Sequence, residues 1–562
     1  MMKSARNSYK GHYWKNGIIY LLTWCLVLNT SLPAVWATPS GGVFTVGTGT
    51  IVEGANTAVT VQQAQSIIQW GAAGSGGIDT SSAESLTFLQ AGGLSNSAVL
   101  NRIMSGNPTQ FDGTLNGLDM RIFIVNPAGV VFGLGSHVNV AQLVASGLNM
   151  SDADFLNATD ASPADFRFEG GNGEVTNRDA IVANRVYLVG NKVFNRAGIV
   201  AQNGLVVLAA GDNVYLAQDG SSVLVQVLTD PLDPTDDVQN RSLISAPNGQ
   251  IVLAAGDTFS RAITNVGIIS ASSGTITAQA AVVRNNGVMD VSASPGAGAD
   301  SGTVGDGGTV SLTGVDQVLV GVDGLGVAGT IGADAGLNGN GGSITLESEG
   351  TVTIGPDSLV SARGGSVTGD GGSVKITGEH FVIAGEIDAS PANTDYEPGT
   401  LEIDPPSVTI ANGANAGAID TLYEQDIETM GSKGTSLVVY ADESITVQDI
   451  VDNKIAGRYG NVEFYATGPD SFISFEDTGD TISTTLGDIK MSAGSGDLTI
   501  GSLETAKDVS DAKPTPGQIV LSTHDGGDIT TENLTIKTGW GHAEINVDAS
   551  GDLMVNGDVI VG

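Results

Sequence analysis

The sequence predicts an all-β protein wound as a parallel β-solenoid, and three observations point there. Glycine is the first: 79 of the 562 residues are glycine, far above the usual ~7 %, and they separate short β-branched runs rather than following a collagen period. Repetition is the second. IVAQNGLVVLAAGD (residues 199–212) and ISAPNGQIVLAAGD (244–257) are near copies 45 residues apart, residues 181–183 match 199–201 at a spacing of 18, and Gly267 matches Gly287 at 20. The third is a recurring strand phrase, a turn glycine followed by period-two alternation: GTVSL (308–312), GSITL (342–346), GTVTI (350–354) and GSVKI (372–376).

Within these strands Ile344 and Leu346, or Val374 and Ile376, share one face, while Thr345 and Lys375 take the other. A strand this short cannot bury its apolar face alone, so copies must stack above and below it. A coil of about 20 residues fits the closer spacings, and gaps of 30 to 45 residues correspond to two coils or to a coil with an inserted loop. Most of the residues after position 37, stacked at ~4.8 Å per coil, would make a rod on the order of 100 Å long. A string of sandwiches expects larger aromatic cores, and aromatics are only 5 % of this chain.

The elements follow in order. Lys3, Arg6, Lys10 and Lys15, with no acid among them, precede an apolar run at 17–28 and then Val35-Trp36-Ala37 before Thr38. This reads as a signal peptide (1–37) cleaved between Ala37 and Thr38; twelve apolar residues are short for a membrane span of about 20. Residues 43–61, with the strand at 67–70, are placed to cap the solenoid, whose first edge must be covered. A first region is assigned to 38–216, a repeat region to 217–400 and a further β-rich repeat region to 401–562. DPLDPTDDVQNR (230–241) is the clearest inserted loop. The far end, VIVG (559–562), follows directly on a strand-like repeat and shows no cap, as a truncated chain or an unusual ending would leave it.

Cys25, the one cysteine, lies in the leader, so no disulfide is available to the mature chain. Removing the leader leaves 19 basic against 61 acidic residues, a net charge of −42. Such a surface repels nucleic acid and anionic lipid. At 41 % hydrophobic residues the chain is too apolar to be disordered by composition. No segment after the leader reaches transmembrane length, so no anchor is expected in this chain.

One stretch carries more than periodicity. RIFIVNPAGVVFG (121–133) is a strand, an Asn126-Pro127-Ala128-Gly129 turn and a second strand. Asn126 can bond the backbone locally, Pro127 fixes φ at the second turn position and Gly129 suits the exit. Around it, in order, stand LTFLQ (86–90), AVLNRI (98–103), SGNPTQF (105–111), LVASGL (143–148) and SDADFL (151–156). This ordered set, over about 42–216, resembles the secretion domain of the filamentous haemagglutinin family, although the additional Asn-Pro-Asn-Leu segment of some branches is absent. The resemblance implies a right-handed parallel β-helix with an N-terminal cap and extra-helical hairpins or loops. It also implies export from a Gram-negative bacterium by two-partner secretion, in which an outer-membrane transporter recognises the N-terminal domain. Asn126, Pro127 and Gly129 are then the candidate secretion motif, with Asn101 and Arg102 as further candidates that a buried polar ladder explains equally well. TLEIDP (400–405) resembles a family linker phrase and sets a soft boundary near 400.

Enzymatic alternatives were weighed on the same residues. Asn393-Thr394-Asp395 matches the start of a polygalacturonase signature, but no paired aspartates, Gly-His-Gly or Arg-Ile-Lys follow. GLGVAG (324–329) spells a dinucleotide fingerprint, but more glycine-rich turn follows where a helix is required. His137, His380, His524 and His542 are widely separated, giving no zinc spacing. The acidic turns at 305–308 and 369–372 each offer one carboxylate and read first as solvated turns, with weak calcium binding as the lesser alternative. No catalytic residue, cofactor or metal is therefore assigned. The expected function is an exported surface or secreted adhesin-like protein acting on a cell-surface receptor or glycan. The alternatives are a secreted carbohydrate-active β-helix enzyme and a stalk fragment of a larger toxin or filament.

Overall fold

The computed structural model describes residues 38–71, 76–157, 166–219, 222–228, 236–256, 262–295, 297, 304–322, 328–506, 517–537 and 544–562. The expected leader with Ala37, the first part of the 230–241 insertion, residues 324–327 of the glycine fingerprint and His542 lie outside the described residues.

The chain winds as a parallel β-helix whose coils each give one strand to three walls. The first wall climbs from Asn56–Val61 through Ser85–Gln90 and onward to Glu386–Asp388. The second climbs from Gln65–Trp70 to Ile545–Asp548, and among the described residues seventeen strands stack along it. The third begins at Thr109–Phe111 and Val130–Phe132. The repeats stack as near copies should: Ile199 lies opposite Ile244 and Leu208 opposite Leu253, while Ser343 sits over Thr309 and under Ser373.

Coil length departs from the expected 20 residues. Arg185 pairs with Leu205 at that spacing, but Thr309 with Ser343 and Leu205 with Gln250 are also consecutive levels, so gaps of 34 and 45 residues are single coils with long connections. Longer coils mean fewer levels. Sixteen steps of ~4.8 Å give a second wall of roughly 80 Å, shorter than the sequence suggested.

The interior is a set of aliphatic columns. Ile181, Ile199, Ile244, Ile269, Met289, Ile331, Val360 and Ile387 stand directly over one another, each 4 % exposed or less. Burying each such side chain stabilises the coil by about 1.5–3 kcal/mol. At the N-terminal end, Gly42–Val46 pairs antiparallel with Gln65–Trp70, and Gly49–Val52 antiparallel with Asn56–Val61. These two strands cover the starting edges of the second and first walls.

The rule of one apolar face per strand fails on the early coils of the second wall. There the outward residues Leu100, Phe123, Val144, Tyr187 and Val207 form a second buried apolar cluster. Its cover is helix α1 (Asp152–Asn157) and an antiparallel sheet of Phe166–Glu169, Asn213–Asp219 and Ser222–Leu228. Phe123 meets Phe155 and Phe166 edge to face at 5.2 and 5.6 Å. Burial under this cover pushes the Tyr187 hydroxyl up to about 12. From Thr275 onward the outward positions are polar again, as Thr275, Thr277 and Gln279 show.

The corners are stitched by amides and carboxylates. Asn177, Asn195, Asn240, Asn265 and Asn285, each ending a strand of the third wall, pass side-chain hydrogen bonds from Nδ2 to the next Oδ1 at 2.8–2.9 Å. Elsewhere, Asp306 accepts the Asn340 N–H, Asn340 the Asp370 N–H and Asp370 the Glu397 N–H. The acidic turns at 305–308 and 369–372 therefore hold successive coils together.

Between 404 and 435 only the second wall continues by strand pairing, Gly399–Asp404 to Thr435–Ala441. In the third wall, Thr421–Tyr423 is inserted beside Ser407–Ala411. In the first, helix α2 (Glu424–Lys433) packs between Glu386–Asp388 and Lys454–Arg458. Helix α2 carries Glu424 and Asp426 in its first turn and Lys433 in its last, buries Ile427 and Met430, and ends at Gly434 with φ 90°. Beyond it, all three walls resume to the last described coil. Among the described residues no helix is long and apolar enough to cross a membrane.

Candidate functional site

The Asn126 turn forms the corner between the second and third walls. Its backbone closes as expected: the Gly129 N–H donates to the Asn126 carbonyl at 2.8 Å. The Asn126 side chain is 1 % exposed. Its Oδ1 accepts the Ala128 N–H at 2.9 Å, and its Nδ2 donates to the Asn107 carbonyl at 2.8 Å and to Thr109 Oγ1 at 3.0 Å. One amide thus closes its own turn and ties it to the coil below.

Gly129 is held from both sides. Its carbonyl accepts the Thr109 N–H, while the next residue, Val130, donates to the Glu174 carbonyl of the coil above. Its φ is 121° and a Cβ would stand 2.9 Å from the Glu174 oxygen, so only glycine fits. Pro127 and Ala128 remain half-buried at the surface.

Asn101 and Arg102 are neighbours in Ala98–Ile103 and point to opposite faces. Asn101 turns inward, fully buried, accepting the Trp70 Nε1–H at 3.0 Å and donating to the Phe123 carbonyl at 3.0 Å. Arg102 turns outward beneath α1, where its guanidinium donates to Asp152 Oδ1 at 2.5 Å and to the Met150 carbonyl at 2.6 Å. Only 14 % of its side chain is exposed.

The structure brings three of the five candidates to one place. Arg102, Asn126 and Pro127 line a groove of about 520 Å³ with Gln69, Met104, Met150 and Asp152. Its accessible rim is apolar, with Met104 half exposed beside Pro127 and Ala128, and its floor holds the Arg102–Asp152 pair. Asn101 belongs to the interior and Gly129 to the packed side of the turn. The covering sheet is the extra-helical hairpin that the family resemblance implies, whereas α1 and the place where both dock were not read from the residues. Their signal was the unbroken apolar character of IFIV (122–125), VYLVG (186–190) and LVVLAA (205–210), which marks a wall buried on both faces.

Residues 37–304 match the model of the TPS secretion domain. That span contains the cap, the covered wall, the asparagine ladder and the groove. Over these residues the chain is similar to the TPS secretion domain, the same stretch in which the ordered motifs around Asn126 lie. A curated relative, the heme/hemopexin-binding protein of Haemophilus influenzae, is 29 % identical over 143 residues, covering 23 % of this chain and 15 % of the relative. The chain thus spans less than a sixth of that relative's length in the match. The crystal structure of the HMW1 secretion domain from Haemophilus influenzae aligns over 92 % of this chain and 99 % of its own, at 18 % identity and a TM-score of 0.42.

Proposed function

We propose that this chain is an exported, non-enzymatic β-helical protein of Gram-negative bacteria, delivered to an outer-membrane transporter by its N-terminal domain and acting outside the cell as an adhesin-like rod. The match of residues 37–304 to the TPS secretion domain carries this reading. In it, residues 1–37 are the leader, cut between Ala37 and Thr38, and the chain crosses the periplasm to the surface or the medium. The repeat regions 217–400 and 401–562 form the displayed rod, whose target is a cell-surface receptor or glycan.

The Asn126 corner serves export in this scheme by letting the second and third walls form together as the domain emerges. Every polar atom of the Asn126 amide is engaged across two coils. A chain that folds coil by coil on the outside needs each corner closed before the next coil can stack. Replacing Asn126 and Gly129 together is expected to leave the protein trapped in the periplasm or degraded, as read by cell fractionation with N-terminal sequencing. Normal appearance of that variant outside the cell would remove the assigned role.

A further inference from the structure

We propose that Asp449, Asp477 and Asp480 form a binding site for a hard divalent cation, calcium by its ligand chemistry, that clips together two successive coils of the C-terminal solenoid. Asp449 lies in the corner between Ser444–Val447 and Lys454–Arg458. Asp477 and Asp480 lie in the same corner one coil on, between Phe472–Phe475 and Thr481–Thr484. One carboxylate oxygen from each of the three falls within 4.8 Å of the others.

What separates this cluster from the other acids of the chain is how its oxygens are left. Asp306, Asp370, Asp488 and Asp528 each accept an N–H from the following coil, and Glu402 and Glu463 pair with Lys375 and Lys490. Asp480 is 1 % exposed. Its Oδ2 takes the Ile450 N–H at 3.1 Å, but its Oδ1 is shut from solvent with no hydrogen-bond partner. Asp477 Oδ1 takes only the Gly479 N–H of its own turn. Among the described residues, no ion pair involves any of the three.

A buried carboxylate with one oxygen left without a donor, in a cluster with two further carboxylates, is unfavourable unless a cation or a proton stands among them. Three oxygen-only ligands suit calcium, which takes 6–8 oxygens at 2.3–2.6 Å and completes its shell with carbonyls and water. Two oxygens on one such ion can be at most about 5.2 Å apart, and the three here lie within 4.8 Å of one another. Asp449 is exposed and leaves the ion a way in. The ligands come together only when both coils are in register, so the ion binds the folded rod alone and stabilises it by mass action.

The test is titration of the full chain, freed of metal by a chelator, with calcium chloride in an isothermal calorimeter, with magnesium chloride as comparison and melting curves in parallel. The expected result is saturable calcium binding in the range of extracellular modules, roughly 10⁻⁴–10⁻³ M, weaker binding of magnesium and a higher melting temperature with calcium. Asp449→Asn, at an exposed position that leaves the buried packing untouched, is expected to weaken binding on the order of tenfold or more, and Asp480→Asn to do the same with a normal circular dichroism spectrum. Absence of saturable calcium binding, or calcium binding unchanged in both variants, overturns the proposal.

Discussion

At the scale of single residues, the N-terminal domain depends on a few amides whose every polar atom is used. Asn126→Ala removes the acceptor of the Ala128 N–H and the donor to Asn107 and Thr109, and leaving such buried groups unpaired costs about 1–3 kcal/mol. Chemical denaturation of the purified protein should show a loss of that size, and a change near zero would mean that water replaces the amide. Gly129→Ala adds strain at φ 121° and a contact with the Glu174 oxygen, so it should destabilise by at least as much, about 1–3 kcal/mol. Asn240→Ala cuts the five-residue asparagine ladder in its middle, leaving the Asn195 donor unpaired and the Asn265 oxygen with the Gly267 N–H alone. It is expected to cost more than the same change at Asn177, where the described ladder begins; equal losses would show that the amides act independently. The sequence marked Asn126 through its Pro and Gly, whose turn chemistry is local. It did not mark the ladder, because five asparagines spread over residues 177–285 acquire their meaning only from the register of the stacked coils.

At the scale of elements, the strand repeats were legible because their period is set by one buried face, and the register confirms it where GTVSL, GSITL and GSVKI lie one over another. Coil length was not legible. A connection can bulge outward by any number of residues without disturbing the stack, so spacing reports coil length only where connections are short. The cover over the second wall was written as continuous apolar runs and escaped a search for alternation. Its weight can be measured: Phe155→Ala removes the α1 ring that packs on Phe123 and should destabilise by about 3–5 kcal/mol, while exposing the apolar outer face of the wall. Increased binding of an apolar dye by this variant, with the solenoid's far-ultraviolet dichroism retained, is the expected signature. Unchanged dye binding would show that the antiparallel sheet covers the wall without the helix. The site candidates were legible to the same degree: Arg102, Asn126 and Pro127 meet in one groove, whereas Asn101 is a core amide serving Trp70.

At the scale of the whole molecule, charge and direction dominate. The acidity identified in the sequence has a structural use at the corners, but it also sets several carboxyls against burial. Burial raises Asp79, Asp426 and Asp404 above their ordinary value, opposed by the Gln110 N–H, the Asn415 amide and Lys375 respectively. Such groups hold a proton more readily folded than unfolded, so stability falls as pH rises through the interval above ~3.9. Asp179 runs the other way: the Gly135 and Ala180 N–H groups lower it, so its contribution is present above ~3.9 and lost as pH falls through its depressed folded value. Melting temperature is therefore predicted to rise as pH is lowered from neutral into the raised range of the first three, and to fall on further acidification. A melting temperature that climbs steadily from acid to neutral pH would contradict this. Direction matters because hydrogen bonds between coils run along the axis of the rod. Tension applied to its two ends is carried in full by every level, and most levels share the pull among three walls. Between 404 and 435 the first wall offers α2 in place of a strand and the third reaches across through Asp420, whose N–H meets the Phe381 carbonyl and whose carbonyl accepts the Thr409 N–H. The pairing of Gly399–Asp404 with Thr435–Ala441 then takes the greater part of the force. A tethered rod under fluid drag would part first at this level, lengthening there while the coils on either side stay wound.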